Sequence, residues 1–138
     1  MVKKTDREIV QHIDSEFASL IRSLKDLARS VPSDYHHILR SAGAIEQMCG
    51  GLTANLWDDP FEWTLPETLS NADRVVEYLS EVDLARQRAF NSIDDAALTK
   101  IIAVPAGESK LLIGLLLETL VKASEFRGRA ATEGRPYS

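Results

Sequence analysis

Two carboxylates and an amine with helical spacing are the side chains of this 138-residue chain that could do chemistry together. Glu118, Lys122 and Glu125 stand at i, i+4 and i+7, so on a helix they share one face. In a polar pocket with Gln47 and Glu46, the two carboxylates could act as acid and base, with the amine tuning their pKa values. On a solvated surface they would only add roughly 0.2–0.5 kcal/mol to helix stability. Metal binding by the two carboxylates is a third option, and it would need ligands from other helices.

The other residues suited to metal binding or nucleophilic attack are few. The three histidines are His12, His36 and His37. The last two are adjacent and point roughly 100° apart on a helix, so they cannot chelate as an i, i+4 pair does. We interpret all three as surface or boundary residues. Cys49, the single cysteine, falls on an apolar stripe, which indicates a buried inert thiol rather than a nucleophile.

An aromatic segment between the second and third predicted helices offers a different kind of surface. Trp57, Phe61 and Trp63 occur within seven residues, together with Pro60 and Pro66. They could line a ligand pocket or form a docking surface for a partner. A loop of this kind also commonly plugs the end of a bundle, so both interpretations stay open.

Four amphipathic helices must position these residues, because apolar side chains recur at spacings of three and four along most of the chain. The predicted helices cover approximately residues 5–31, 33–56, 70–90 and 108–130. The connection from 91 to 107 contains a short β-branched run, but no second strand is evident to pair with it. The pattern predicts an all-α, up-down-type four-helix bundle that forms a single domain over residues 1–138.

Local signals mark several helix ends. Thr5 and Glu8 form a capping box at the start of the first helix. Ser70 is expected to cap the third helix. Gly50 and Gly51 interrupt the second helix at some cost in helix propensity, and we interpret the pair as a site of close packing or a kink.

The helix order resembles that of the DinB-like (DinB/YfiT-like) four-helix bundles along nearly the whole chain. Arg127-Gly128 keeps the frame of the H-x-x-x-H-R-G-Q pattern on that family's last helix. Residues 41–48 look like the family's S-I-G-E-x-x-x-H segment on helix two. Residues 63–66 and 105–108 sit where the family has its loop before helix three and its turn before helix four.

The resemblance implies that a metal site has been lost. The three family histidines that bind a divalent metal correspond here to Met48, Lys122 and Phe126, with Gln47 as the helix-two alternative if the register slips by one. A thioether is a poor ligand for such ions, an ammonium repels them, and a phenyl ring has no lone pair. We therefore expect no metal and no cofactor, and we assign no catalytic residue.

Two functions are compatible with this sequence, and whether the chain is an enzyme stays open. The first is a metal-independent module that binds a small ligand or a partner. Its candidate pocket residues are Gln47, Met48, Glu118, Lys122, Glu125 and Phe126. The alternative is a hydrolase or transferase of the DinB-like (metal-dependent thiol transferase) type that uses the pocket of Glu118, Lys122 and Glu125.

The composition argues against two classes of binding partner, nucleic acids and membranes. The net charge of −5 argues against a nucleic-acid surface that follows phosphates, since such surfaces are usually basic. The N-terminus has no apolar stretch typical of a signal peptide, and the richest apolar window, 111–121, is about half the length of a membrane span. With the single cysteine, this predicts a cytoplasmic protein that contacts neither nucleic acid nor membrane. The resemblance implies a homodimer, because that family commonly pairs through helix faces.

Overall fold

The computed structural model describes residues 4–30, 35–58 and 71–133, and α-helices cover most of them. The helices are α1 (Glu8–Ser30), α2 (His36–Ala54), α3 (Ala72–Asn91) and α4 (Leu112–Glu133). Short 3-10 turns occupy Lys4–Arg7, Asp95–Thr99 and Pro105–Gly107, and a hairpin joins β1 (Ile101–Ala103) to β2 (Ser109–Leu111). The predicted all-α four-helix bundle is confirmed. Among these helices none is long and apolar enough to cross a membrane.

The core is built from buried apolar side chains of all four helices. Full burial of each large side chain contributes roughly 1.5–3 kcal/mol. The largest fully buried side chains include Phe17, Ile21 and Leu24 of α1, Ile38, Ile45 and Met48 of α2, Leu79 and Phe90 of α3, and Leu116 of α4.

The order of neighbours within the bundle differs from a ring in which each helix packs beside the next one. α2 makes its widest contact with α4 and also packs on α3, whereas α1 packs mainly on α3 and less on α4. α1 and α2 touch little in the described part of the chain. Consecutive helices α1 and α2 therefore lie diagonally across the bundle.

α2 ends where the chain turns back over two glycines. Asn55 adopts a left-handed conformation with φ 56°, and its amide bonds to the carbonyl of Gly51 at 3.1 Å. A Cβ at Gly51 would lie 2.3 Å from the indole ring of Trp57, and one at Gly50 would lie 2.9 Å from the carbonyl oxygen of Leu56. The two glycines thus allow the returning chain to pack closely on α2, and the ring of Trp57 lies against the end of this helix.

The connection between α3 and α4 contains a hairpin, so the expectation that no second strand pairs there was wrong. β1 and β2 run antiparallel, with Ile101 opposite Leu111 and Ile102 opposite Lys110. The second strand has only three residues and runs directly into α4, which leaves no alternating pattern to detect. For the same reason α4 begins at Leu112, later than the predicted start at about residue 108.

The N-terminus of α1 is capped by a residue from the connection between α3 and α4. The amides of Ile9 and Val10 donate to the carboxylate of Asp95, at 3.2 and 2.9 Å. The negative charge also suits the positive end of the helix dipole. The side chain of Thr5, predicted to form the cap, lies outside the described side chains. A long-range cap therefore ties α1 to the segment after α3.

Near this cap, an arginine side chain donates hydrogen bonds to carbonyl groups at the C-terminal end of α3. The guanidinium of Arg7 donates to the carbonyls of Phe90 at 2.7 Å and Ile93 at 3.3 Å. Carbonyls at a helix C-terminus carry partial negative charge and lack partners within the helix. Together with the cap at Asp95, this contact fixes the start of α1 against the end of α3.

α3 begins with a cap one residue beyond the predicted one. The side chain of Asn71 accepts a hydrogen bond of 3.0 Å from the amide of Arg74. Ser70, the predicted cap, lies outside the described residues. Asparagine is as good an N-cap as serine, so this start needs no further signal.

The long-range cap predicts a measurable loss of stability. Asp95→Ala leaves two helix amides without their acceptor, and we expect it to lower the free energy of unfolding by about 1 kcal/mol. Glu77→Ala, on the exposed surface of α3, is the matched control. Urea unfolding followed by circular dichroism measures both, and equal losses in the two variants would contradict the cap.

Candidate ligand-binding site

α2 and α4 run antiparallel along a seam of small residues. The hydroxyl of Ser41 donates a 2.7 Å hydrogen bond to the carbonyl of Ala123 inside this interface. Residues 42–44, all small, are buried beside it, which lets the two backbones approach closely. Near the start of α2, the ring of His37 stacks on Phe126, with centroids 6.3 Å apart.

Farther along the seam, the helices border a cavity of about 220 Å³. Three elements and the turn after α2 line it. Its described lining residues are Ala44, Gln47 and Met48 of α2, Leu115 and Thr119 of α4, Val104, Pro105 and Lys110 of the hairpin region, and Trp57. The hairpin that sequence patterns did not reveal is thus one wall of the cavity.

The lining combines buried apolar atoms with polar side chains. Met48 is only 2% exposed, whereas the amide of Gln47 is partly accessible and donates a 2.7 Å hydrogen bond to the carbonyl of Trp57. That bond holds the returning chain against α2. Thr119 adds a hydroxyl from a residue that is 8% exposed. Ligand sites usually combine apolar surface with a few placed polar groups, and the lining of this cavity contains both kinds of surface.

An ion pair stands at the hairpin side of the cavity. The ammonium of Lys110 on β2 lies 2.6 Å from a carboxylate oxygen of Glu118 on α4. This hydrogen bond raises the pKa of Lys110 above its ordinary value, so the ammonium stays charged at neutral pH. One carboxylate contact leaves ammonium donors for another acceptor. The ion pair is accessible to solvent and contributes little to the stability of the fold. Its relevance to function is its position beside the cavity.

Three of the candidates predicted from sequence lie in or beside this cavity. Gln47 and Met48 line it. Glu118 adjoins it through its contact with Lys110, while its own side chain is 61% exposed. The structure therefore places the helix-two candidates at one site and adds a charged partner from the hairpin.

The other three candidates lie elsewhere on α4. Lys122 and Glu125 are exposed, and neither lines the cavity. Phe126 is partly buried seven residues beyond Thr119, about 10 Å along the helix. Its ring packs beneath the guanidinium of Arg129, 5.5 Å from the centroid. The six candidates therefore do not gather in one pocket.

The positions that the resemblance equates with metal ligands also lie at different levels of the bundle. Met48 borders the cavity. Lys122 and Phe126 lie at another level of the bundle, where the facing residues of α2 are Ser41 and His37. Within 4–30, 35–58 and 71–133, no group of three His, Cys, Asp or Glu side chains is placed to hold a metal ion.

Sequence reasoning missed Lys110 and Thr119. Thr119 follows Leu112 and Leu116 at helical spacing, so a polar residue within the buried stripe of α4 was the available signal. Lys110 had no comparable signal, because its place depends on how two strands of three residues pair.

A second polar cluster lies inside the bundle, where α1 meets α3. Arg86 is 9% exposed and pairs with Asp14 of α1 and, at 2.9 Å, with Asp83. Burial opposes the charge of Arg86, but its bonds to the two carboxylates outweigh that effect and raise its pKa. Two carboxylates of its own chain bind the cation, which indicates a structural ion pair.

Cys49 is fully buried, as its place on the apolar stripe predicted. Burial is the main cause that raises the pKa of its thiol to about 12, and the positive charge of Arg86 only partly offsets it. The thiolate is the nucleophilic form of cysteine, so Cys49 is inert at neutral pH.

Comparison of the chain with family models, with curated proteins and with solved structures gives no match.

The buried thiol predicts how stability depends on pH. The unfolded thiol ionises near its ordinary pKa of 9.0 and the folded thiol near 12. The protonated thiol thus stabilises the fold fully below pH 9, and this contribution is lost as pH rises towards 12. We expect the stability advantage of the wild type over Cys49→Ala to shrink above pH 9 in urea unfolding at pH 8, 10 and 11. A constant difference would contradict a buried thiol.

Proposed function

We propose that this chain is a metal-independent, DinB-like bundle that binds a small molecule in the cavity between α2, α4 and the hairpin. The observation that supports this is the lining of the cavity, which combines apolar side chains with the charged ammonium of Lys110. Val104, Pro105 and Leu115 offer apolar surface, while Gln47, Thr119 and Lys110 offer polar contacts. The proposal keeps the helix-two residues suggested by the sequence and replaces those of α4.

The chemistry of this lining favours a compact ligand with an apolar body and an anionic end. The ammonium of Lys110 can donate to an anion, and charge-assisted hydrogen bonds are about twice as strong as neutral ones. The ring of Trp57 and the thioether of Met48 suit a flat or aliphatic body. The cavity of about 220 Å³ is smaller than the roughly 300–1,000 Å³ typical of drug-sized ligands. A small organic acid fits these requirements.

The enzymatic alternative has weaker support. A hydrolase or transferase based on Glu118, Lys122 and Glu125 needs the three side chains to meet around a substrate. Lys122 and Glu125 are exposed and outside the cavity, and Glu118 alone adjoins it. A binding role for the cavity requires no such convergence.

We also propose that the protein acts in the cytoplasm and as a homodimer. A single buried thiol and a net charge of −5 are consistent with a reducing, aqueous compartment. Exposed apolar residues on α4, Leu117 and Val121, support association with another protein surface.

The ligand proposal predicts a specific dependence on Lys110. Phenylacetate is a suitable probe, with neutral phenylacetamide for comparison, and both are titrated by calorimetry in the presence of EDTA. We expect the wild type to bind phenylacetate more tightly than the amide. Lys110→Met should weaken phenylacetate binding about tenfold, since a hydrogen bond to a charged group contributes about 1.5–3 kcal/mol.

Lys122→Met is the matched control, because it removes the same charge from an exposed site on α4 outside the cavity. It should leave the affinity unchanged. Equal losses in the two variants, a loss only in Lys122→Met, or binding that needs an added divalent metal would contradict the proposed site.

A further inference from the structure

The outward face of α4 carries a stripe of apolar and small residues. Gly114, Leu117, Val121, Ser124 and Gly128 alternate at spacings of three and four, the repeat by which two helices pack as a coiled coil. Leu117 is 45% exposed and Val121 is 58% exposed. A Cβ at either glycine would meet no atom within 4 Å. Two large exposed side chains, Leu117 and Val121, thus stand side by side along this face, with small residues before and after them.

A row of alternating charge runs beside this stripe. Glu118, Lys122, Glu125 and Arg129 are all exposed and follow one another at spacings of four, three and four. The spacing is symmetric and the signs alternate. When the row is reversed end to end, each carboxylate therefore falls opposite a cation, Glu118 with Arg129 and Lys122 with Glu125. The row is complementary to its own antiparallel copy.

We propose that this face of α4 docks on α4 of a second copy of the chain, antiparallel, about a two-fold axis near residues 122–124. This proposal rests on the homodimer proposed above and assigns its interface to α4. A two-fold interface uses the same patch on both copies. In this arrangement Leu117 of one copy packs over Gly128 of the other, and Val121 packs over Ser124. The charged pairs are then offset by about 3 Å along the helix, a distance that their long side chains can span. Each large side chain then fills the gap that a small residue leaves.

The charge row favours a second copy over an unrelated helix. The symmetric spacing and alternating signs match the row to its own antiparallel copy, whereas an unrelated helix would match it only with a separate complementary row of charges. The stripe from Gly114 to Gly128 spans about 21 Å, so the interface lies below the roughly 1,200 Å² of standard complexes. We therefore expect a dimer that dissociates at micromolar concentration. The cavity stays accessible, because Leu115 and Thr119 face it from another side of α4.

Charge reversal tests this register directly by analytical ultracentrifugation of the full chain. Lys122→Glu and Glu125→Lys each place like charges opposite one another twice per dimer, and we expect each to weaken dimerisation about tenfold. The double swap of both residues should restore the dissociation constant to within about threefold of the wild type. An interface elsewhere would show no such rescue.

A second pair of variants tests the apolar stripe. Val121→Arg should abolish the dimer. Leu84→Arg, at a residue on α3 that is 50% exposed, should leave it intact. A wild type that is monomeric at all concentrations would overturn both the homodimer and this surface. A dimer that persists in Val121→Arg and shows no rescue in the double swap would overturn the surface alone. Phenylacetate binding by the same variants reports separately on the ligand site.

Discussion

The close antiparallel packing of α2 on α4 is the constraint on which the rest of the structure depends. Two helices can approach closely only where small side chains face each other, and here Ser41 adds a buried hydrogen bond to the carbonyl of Ala123. Farther along, Gln47 and Met48 replace the small residues, and the helices border a cavity instead of a closed seam. The site is therefore a consequence of where α2 changes from small to large side chains.

The hairpin completes the site because its connection contacts both α4 and the start of α1. The amide of Leu112, the first residue of α4, donates a 2.9 Å hydrogen bond to the carbonyl of Lys100, just before β1. Lys110 then reaches Glu118 on α4. The preceding turn carries Asp95, which caps α1. A single connection thus positions the ammonium beside the cavity and fixes the start of α1, so the charged group lies on an anchored element.

Periodicity predicted the four helices because each buries one face, and it placed Cys49 in the core for the same reason. It could not predict the cap at Asp95, which acts on residues about 85 positions away. It also missed the hairpin, since three residues per strand carry too little alternation. Of the site, Gln47 and Met48 came from the resemblance on helix two. Lys110 could not be predicted, because its position depends on strand pairing and on how nonconsecutive helices meet.

The measurement that most directly tests the cavity as a ligand site is an NMR titration of chelator-treated, ¹⁵N-labelled protein with phenylacetate. We expect shifts of the Gln47 side-chain amide, the Trp57 indole N–H and the Thr119 backbone amide. The signals of Lys122 and Glu125 should remain in place. Shifts centred instead on Lys122, Glu125 and Phe126, or shifts that occur only after a divalent metal is added, would contradict a metal-independent site between α2, α4 and the hairpin.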